Sequence, residues 1–269
     1  MVELFANDNR TQGRMSSKGN QLKWMSNDYW YKSDYTGYEG LAEYMVSGLL
    51  RHSNLAEEKF IHYDTEEIFY EGRCYLGCRS RNFLPPGWQL ITLERLFMSY
   101  YGESLHKSVY TIRNLDERVR FLVEQVVRLT GLEEFGKYMS ILLTIDAFFL
   151  NEDRHMHNIA VLLDEEGKYH YCPVFDNGAA LLADTTLDYP LEGDVESLMK
   201  KARPKTFCSD FEEQLDAVER LYGMHFQFDF GWKEVDMLLQ AENYYPENAK
   251  KRVEKILTEQ RLTYRYLFE

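Results

Sequence analysis

Apolar and polar residues alternate in several short segments of the first third of the chain, and many of the apolar residues are aromatic. A period of two is typical of β-strands, and turn-forming residues between the segments, such as Glu71 and Gly72, fit hairpin connections. From Tyr38 the pattern changes, because apolar residues recur every three or four positions and so predict an amphipathic helix. The predicted strands span residues 22–24, 28–32, 60–63, 67–70 and 73–78.

The sequence Pro85-Pro86-Gly87 interrupts this pattern, and the spacing beyond it is mainly helical. Apolar residues at intervals of three and four predict helices over residues 115–129 and 132–150. Helical spacing returns at Asp210 and continues to the end of the chain, with Pro246 at the start of the last helix.

A hairpin is predicted between these helical regions. Residues 159–163 and 169–175 have strand character and are separated by the turn-forming sequence Glu165-Glu166-Gly167. We therefore predict an α+β chain of two lobes. Residues 1–88 would form a small lobe with an antiparallel sheet and one helix, and residues 89–269 a larger, mostly helical lobe.

The amino-acid composition argues against nucleic acid and membranes as partners. The 269 residues include 31 Lys and Arg against 44 Asp and Glu, a formal net charge of −13, and no long basic cluster that would neutralise a row of phosphates. Direct binding to nucleic acid is therefore not expected. The four cysteines do not form a disulfide framework, no leader peptide is evident, and the apolar run at residues 139–150 is too short to span a bilayer. We expect a cytoplasmic protein without a membrane partner.

Two groups of polar residues flank the predicted hairpin. Asp153 and Asn158 have the D-x-x-x-x-N spacing of a kinase catalytic loop, and Asp176 with Gly178 has the D-x-G form of a kinase metal-binding turn. Phosphoryl transfer requires a carboxylate near the attacking hydroxyl and oxygen ligands for magnesium ions that neutralise the phosphates of ATP. We expect the hairpin to bring these three side chains to one cleft.

Lys32 lies in a predicted strand shortly before the helix that carries Glu39 and Glu43. In kinases a strand lysine contacts the phosphates of ATP and is paired with a glutamate from a helix. The order lysine, glutamate, aspartate, asparagine, aspartate therefore fits a kinase. The chain has no G-x-x-x-x-G-K-[ST] sequence, so a Walker-type phosphate loop is not an alternative nucleotide site.

Three motifs together resemble those of the HipA-like serine/threonine kinases. They are Ser16-x-x-Gly19-x-Gln21-x-Lys23, Asn151-x-Asp153-Arg154-His155-x-x-Asn158 and Pro173-x-Phe175-Asp176-x-Gly178. The resemblance implies a compact, bilobal, protein-kinase-like fold, with ATP and Mg²⁺ bound and a protein hydroxyl as the acceptor. It makes Asp153 the catalytic base, Asn158 and Asp176 the magnesium ligands, and Lys32 the lysine that contacts the phosphates.

The same resemblance implies a phosphate loop that covers the nucleotide. Its nucleotide-contacting residues would be Ser16, Ser17, Gly19, Gln21 and Lys23, with Glu43, in preference to Glu39, as the partner of Lys32. Ser16 occupies the position at which this family is autophosphorylated, which would switch the enzyme off. The family also includes toxins of toxin–antitoxin pairs, so an inhibitory partner protein and a toxin role stay open.

Two other functions compete with this one. Phosphoinositide and related kinases also combine an Asp-Arg-His-x-x-Asn loop with an Asp-x-Gly turn, so a lipid or small molecule is an alternative acceptor. A pseudokinase that binds a partner without catalysis is the second alternative. His155 and His157 do not have the spacing of zinc ligands, and Cys74 and Cys78 lack a second pair.

Overall fold

The computed structural model describes residues 1–9 and 21–268. These residues contain eight β-strands and nine α-helices. The strands are β1 (Val2–Leu4), β2 (Lys23–Ser26), β3 (Tyr29–Ser33), β4 (Asp64–Tyr70), β5 (Arg73–Arg81), β6 (Gln89–Thr92), β7 (Ala160–Leu163) and β8 (Tyr169–Tyr171). The helices are α1 (Glu39–Leu50), α2 (Leu93–Tyr101), α3 (Leu105–Thr111), α4 (Leu115–Thr130), α5 (Phe135–Phe149), α6 (Val195–Met199), α7 (Phe211–Tyr222), α8 (Trp232–Ala241) and α9 (Glu247–Thr263).

The chain forms two compact units, and each is built from segments that are distant in sequence. Unit 1 comprises Met1–Phe83, Asp176–Ala202 and Gln227–Glu269, and unit 2 comprises Leu84–Phe175 and Arg203–Phe226. The predicted lobes, residues 1–88 and 89–269, divide the chain by sequence order alone and stay a prediction. Within the described residues, no helix is long and apolar enough to cross a membrane.

Unit 1 contains a five-stranded sheet in the order β1-β4-β5-β3-β2. β1 is parallel to β4, and the other pairs are antiparallel. Two-residue turns join the hairpins: Asn27 and Asp28, and Glu71 and Gly72, all have positive φ angles. Such turns suit the twist of hairpin strands, and Asn, Asp and Gly adopt them readily. Leu4, Trp24, Tyr31, Ile68 and Tyr70 form a buried cluster on this sheet.

Helix α1 packs against β4 and β5 of the same unit. Ten of its twelve residues are buried, and these include Glu43. The helix approaches the sheet closely at Gly40, where a Cβ atom would lie 2.5 Å from the backbone carbon of Gly77 and 2.5 Å from the Tyr245 hydroxyl. A glycine is therefore required at position 40 by the distance between helix and strand.

Unit 2 is built around α5, of which twelve residues are buried. Helices α4 and α7 pack against it, and β6, β7 and β8 form a separate antiparallel sheet. Local sequence defines the helix ends: Asn114 caps the first turn of α4 through the Glu117 amide, and Gly131 ends that helix with φ 73°. Helix α5 ends at Leu150, which has φ 55°, directly before the predicted catalytic loop.

The sequence pattern located most of these elements, with some errors. Residues 60–63 were expected to be a strand and are not one, although Phe60, Ile61 and Tyr63 are buried. Their apolar side chains are buried although the segment does not form a continuous strand, so burial produced the pattern. The second hairpin strand ends at Tyr171 instead of Phe175. Elements β1, β6, α2, α3 and α6 were not predicted.

We expect Gly40→Ala to destabilise the protein by about 1–3 kcal/mol, because the added methyl group overlaps the Gly77 backbone and an overpacked core must shift. In an open helix the same substitution would be stabilising. Urea denaturation monitored by circular dichroism measures the change. Gly231→Ala is the matched control, since its Cβ would meet only the flexible Glu234 side chain at 3.4 Å. Equal stability of the two variants would contradict the close approach.

Asp34 follows β3 and lies beside this contact. Its carboxylate accepts hydrogen bonds from the Gly40 amide at 2.7 Å and from the Tyr245 hydroxyl at 2.7 Å. The pKa of Asp34 is raised from 3.8 to about 7, because burial and, to a smaller extent, the negative charge of Glu39 outweigh the opposing effect of the two hydrogen bonds. The folded chain therefore holds a proton on Asp34 at pH values where the unfolded chain has lost it.

This proton makes stability depend on pH. Between about pH 4 and about pH 7, Asp34 binds more protons in the folded state than in the unfolded state, so its contribution to the free energy of unfolding should fall as pH rises through this range. The contribution of Asp34 approaches about 1.4 kcal/mol per pH unit. Urea titrations of the wild type and of Asp34→Asn across this range isolate it, because the variant should lack this slope. Parallel pH profiles would contradict the raised pKa.

Candidate active site

Lys32 is the centre of a charged cluster in unit 1. Its Nζ atom lies 2.7 Å from Oε1 of Glu43 and 2.8 Å from Oδ1 of Asp176. The Tyr63 ring also faces Nζ, at 5.1 Å from its centroid. Lys32 of β3 thus lies between the carboxylate of Glu43, which is on α1, and that of Asp176, which is far from both in sequence.

Glu43 contributes both of its oxygens to this cluster. While Oε1 accepts from Lys32, Oε2 accepts a hydrogen bond from the Asn177 amide at 2.8 Å. Asp176 has a left-handed backbone with φ 59°, and a Cβ on Gly178 would lie 3.3 Å from Glu39 Cβ. The predicted metal-binding turn is therefore fixed against helix α1 through the same glutamate that binds Lys32.

The charges in the cluster stabilise the protonated lysine. Burial by itself lowers the pKa of Lys32, but Asp176 and Glu43 outweigh this and raise the pKa well above its usual value. Lys32 is thus a permanent cation at physiological pH. Its side chain is 13% exposed, so it keeps access to solvent.

Glu39, the other candidate partner, has a different contact set. Its carboxylate accepts hydrogen bonds from the backbone amides of Thr36 and Gly37 before α1. Of the two glutamates, Glu43 is therefore the one paired with Lys32.

The predicted phosphate loop is described only at its end. Ser16, Ser17 and Gly19 lie outside the described residues, whereas Gln21 is half-buried before β2 and Lys23 begins that strand. Lys23 is directly opposite Lys32 in the β2–β3 pair. Opposed residues of an antiparallel pair project from the same face, so two lysines share this face of the sheet.

The predicted catalytic loop in unit 2 is organised by a buried ion pair. Arg154 and Asp146 each have a side chain that is 1% exposed, and Arg154 Nε lies 3.0 Å from Asp146 Oδ2. Asn151 also donates to Asp146, at 2.9 Å. Burial raises the pKa of Asp146, and Arg154 opposes this shift. The Asp146 carboxylate thus joins the end of α5 to the loop.

The other end of the Arg154 guanidinium binds backbone carbonyls. Nη1 donates to Asn158 O at 3.2 Å and to Phe175 O at 2.6 Å. Phe175 precedes Asp176 in the chain. One arginine therefore holds the end of the catalytic loop and the residue before the predicted metal-binding turn.

Asp153 and Asn158 are in contact within this loop. The side-chain nitrogen of Asn158, Nδ2, donates to the backbone oxygen of Asp153 at 2.9 Å and lies 3.4 Å from Asp153 Oδ2. Lys205 Nζ is 3.5 Å from Asp153 Oδ1, and His155 Nε2 is 3.9 Å from Oδ2. The expected meeting of Asp153 and Asn158 with Asp176, which belongs to the other unit, stays a prediction.

The available oxygen donors suit magnesium. Among the described residues, no group of three or more His, Cys, Asp or Glu side chains is arranged to hold a metal. Of the two predicted magnesium ligands, Asn158 directs its side-chain nitrogen to Asp153, so its side-chain oxygen would be the ligand atom, and Asp176 has a carboxylate. Hard oxygen ligands with several remaining positions for phosphates and water are typical of Mg²⁺ in kinases.

Sequence reasoning missed several residues that form the site. Asp146 appeared only as a polar interruption of an apolar helix, although a carboxylate inside such a helix is itself a sign of a buried partner. Lys205 and Thr206 gave no signal, since they approach the catalytic loop from about 50 residues away. The Asn177 amide contact was also not predictable, because it involves only backbone.

Comparison with known proteins supports the fold. No protein-family model and no curated protein matches the chain. The chain is similar to the crystal structure of a proinflammatory kinase of Helicobacter pylori, CtkA, with a TM-score of 0.61 and 13% identity over 97% of this chain and 94% of that one. The predicted α+β, protein-kinase-like fold is thus confirmed.

We expect Asp146→Ala to lower the free energy of unfolding by about 3–5 kcal/mol, because it leaves the buried Arg154 charge without its partner. Urea denaturation provides the measurement. Asp116→Ala is the matched control, since Asp116 pairs with Arg220, whose side chain is 59% exposed. This control should change stability by about 1 kcal/mol or less. If both variants lose the same stability, Arg154 does not depend on Asp146.

Proposed function

We propose that this chain is an ATP- and magnesium-dependent serine/threonine protein kinase of the HipA-like type. The observation that carries the proposal is the position of Lys32, whose Nζ is held between Glu43 at 2.7 Å and Asp176 at 2.8 Å. A strand lysine paired with a helix glutamate beside the aspartate of a D-x-G turn is the nucleotide-binding arrangement of protein kinases. Found within a kinase-like fold, this arrangement supports a kinase function more strongly than the sequence motifs do alone.

The nucleotide phosphates would bind at the lysines of the sheet. Lys23 and Lys32 project from the same face of the sheet, so two cations would be available to the anionic phosphates of ATP there. Gln21 and the residues Ser16, Ser17 and Gly19 would cover these phosphates. Asn158 and Asp176 would hold magnesium, which when bound neutralises charge on the phosphates.

Asp153 would act as the base toward the acceptor hydroxyl. The hydroxyl oxygen forms a bond to the γ-phosphorus as the bond to the β,γ-bridging oxygen breaks, ADP leaves, and Asp153 accepts the hydroxyl proton. Arg154 does not react in this scheme. It keeps the loop in place through Asp146 and the carbonyls of Asn158 and Phe175.

Ser16 would be the site of regulation. A phosphate on Ser16 adds roughly two negative charges to a loop that must lie over the phosphates of ATP. Repulsion would keep the loop from closing, so autophosphorylation would reduce activity. Mass spectrometry after incubation with ATP and magnesium should find this phosphate in the wild type and not in Asp153→Asn.

Two variants separate the proposed roles of the acidic residues. Asp153→Asn should lose at least about 100-fold in phosphate transfer but keep its affinity for ATP, because a base acts only in the transition state. Asp176→Asn should lose transfer and also the effect of magnesium on ATP affinity. Transfer from γ-labelled ATP and calorimetric titration with ATP, each with and without magnesium, measure these effects.

Asp236→Asn is the control for these variants, because Asp236 is an exposed residue of α8 and should have wild-type transfer and binding. A folded Asp176→Asn variant with wild-type transfer would exclude the metal role. ATP binding by the wild type without any transfer, including autophosphorylation, would instead indicate a pseudokinase.

A further inference from the structure

A short segment of unit 2 lies along the predicted catalytic loop. The Arg203 amide donates to Glu152 Oε1 at 2.7 Å, and Thr206 Oγ1 donates to the carbonyl oxygen of Arg154 at 2.5 Å. Between them, Lys205 Nζ lies 3.5 Å from Asp153 Oδ1. Hydrogen bonds on both sides therefore fix the backbone that carries Lys205 next to the proposed base.

This segment presents cations to solvent. Arg203 and Lys205 are exposed, while Pro204 between them and Thr206 after them are buried. The Lys205 side chain is 51% exposed although it reaches the Asp153 carboxylate. Two cations thus project outward at alternate positions, and their backbone is anchored by the buried neighbours.

The charge of the segment contrasts with that of the chain. Residues 200–205 include Lys200, Lys201, Arg203 and Lys205 and no carboxylate, whereas the whole chain has a net charge of −13. A local excess of positive charge on an acidic protein favours association with an anionic partner at that place. Of these four cations, Arg203 and Lys205 are the two whose backbone is fixed beside the predicted catalytic loop.

We infer that Arg203 and Lys205 select an acidic acceptor peptide, one with Asp or Glu within a few residues of the hydroxyl that receives the phosphoryl group. This inference rests on the proposed kinase function and adds the class of substrate. The acceptor hydroxyl must come within about 3 Å of Asp153. Residues that flank it in the peptide must then pass Lys205, which is in direct contact with the same carboxylate.

The spacing of the two cations also suits a peptide. Residues two apart in an extended chain are separated by about 7 Å, so Arg203 and Lys205 can pair with alternate side chains of an extended substrate. An acidic side chain would compete with Asp153 for Lys205. Its binding would draw Lys205 from Oδ1 and leave that oxygen to accept the hydroxyl proton.

Peptide libraries provide the test. Each peptide has one central Ser or Thr, one flanking position fixed as Glu, Gln or Lys, and a mixture elsewhere, and transfer from γ-labelled ATP is measured with the full chain. The wild type should prefer Glu over its neutral analogue Gln by about 2- to 5-fold at one or two positions, as expected for exposed ion pairs. This preference should decrease with added salt.

Charge reversal identifies the residues responsible. Arg203→Glu and Lys205→Glu should each remove the preference for Glu and favour Lys at the affected position. Lys251→Glu, an exposed lysine of α9, carries the same change in charge and should keep the wild-type preference. An unchanged preference in both Arg203→Glu and Lys205→Glu, or an equal loss of transfer to acidic and neutral peptides, would overturn the inference and leave the kinase proposal standing.

A measurement of peptide binding tests the inference in variants that no longer transfer phosphate. Fluorescence anisotropy with a labelled peptide that has Glu at alternate positions and Ala in place of the acceptor requires no catalysis. The wild type should bind it more tightly than the Gln analogue by about 3- to 10-fold, and Lys205→Glu should lose this difference. Absence of transfer by the wild type to any peptide and to itself would overturn the kinase function, whereas equal affinity for the two labelled peptides would overturn only the acidic preference.

Discussion

The carboxylate of Glu43 is the interaction on which the candidate nucleotide site depends. Its side chain is 2% exposed, and it accepts hydrogen bonds from Lys32 and from the Asn177 amide. A buried carboxylate is costly unless donors compensate both oxygens, and here a strand and a turn supply them. Because Glu43 lies on α1, the position of that helix on the sheet determines where Lys32 and the Asp176 turn are held. The close approach at Gly40 therefore affects the position of the Lys32 cluster as well as the packing of the helix.

A second buried charge has the corresponding role in unit 2. Arg154 is surrounded by Asp146 and by the carbonyls of Asn158 and Phe175, so its donors link α5, the predicted catalytic loop and the irregular segment after β8. Well-packed apolar residues in place of a buried ion pair are often more stable than the pair itself. Arg154 therefore contributes mainly by orienting its partners and not by adding stability. Its planar guanidinium fixes several groups at once, which an apolar side chain cannot do.

How far the sequence predicted the site follows from the range of the interactions involved. Lys32 and Glu43 are separated by eleven positions and lie in a strand and a helix with clear periodicity, so their pairing could be predicted from local patterns. Asp153 and Asn158 belong to one loop, and their contact is equally local. Lys205 approaches Asp153 from 52 positions away, and no local pattern reports such a contact. Periodicity also failed at residues 60–63, because it reflects burial, and buried residues are not always paired strands.

The two charged networks show how a site can combine rigidity with exchangeable contacts. Glu43 and Arg154 are fully buried and have several fixed partners, which makes them parts of the scaffold. Lys32 is 13% exposed and Asp176 is 24% exposed, so this ion pair is more accessible to solvent than Glu43 and Arg154 are. Lys205 is more exposed still, at 51%, and its contact with Asp153, at 3.5 Å, is longer than the contact of Lys32 with Asp176, at 2.8 Å. The side chains that hold backbone elements in place are therefore buried, whereas the proposed ligand-binding side chains are more accessible, which a site requires if ligands are to displace internal ion pairs.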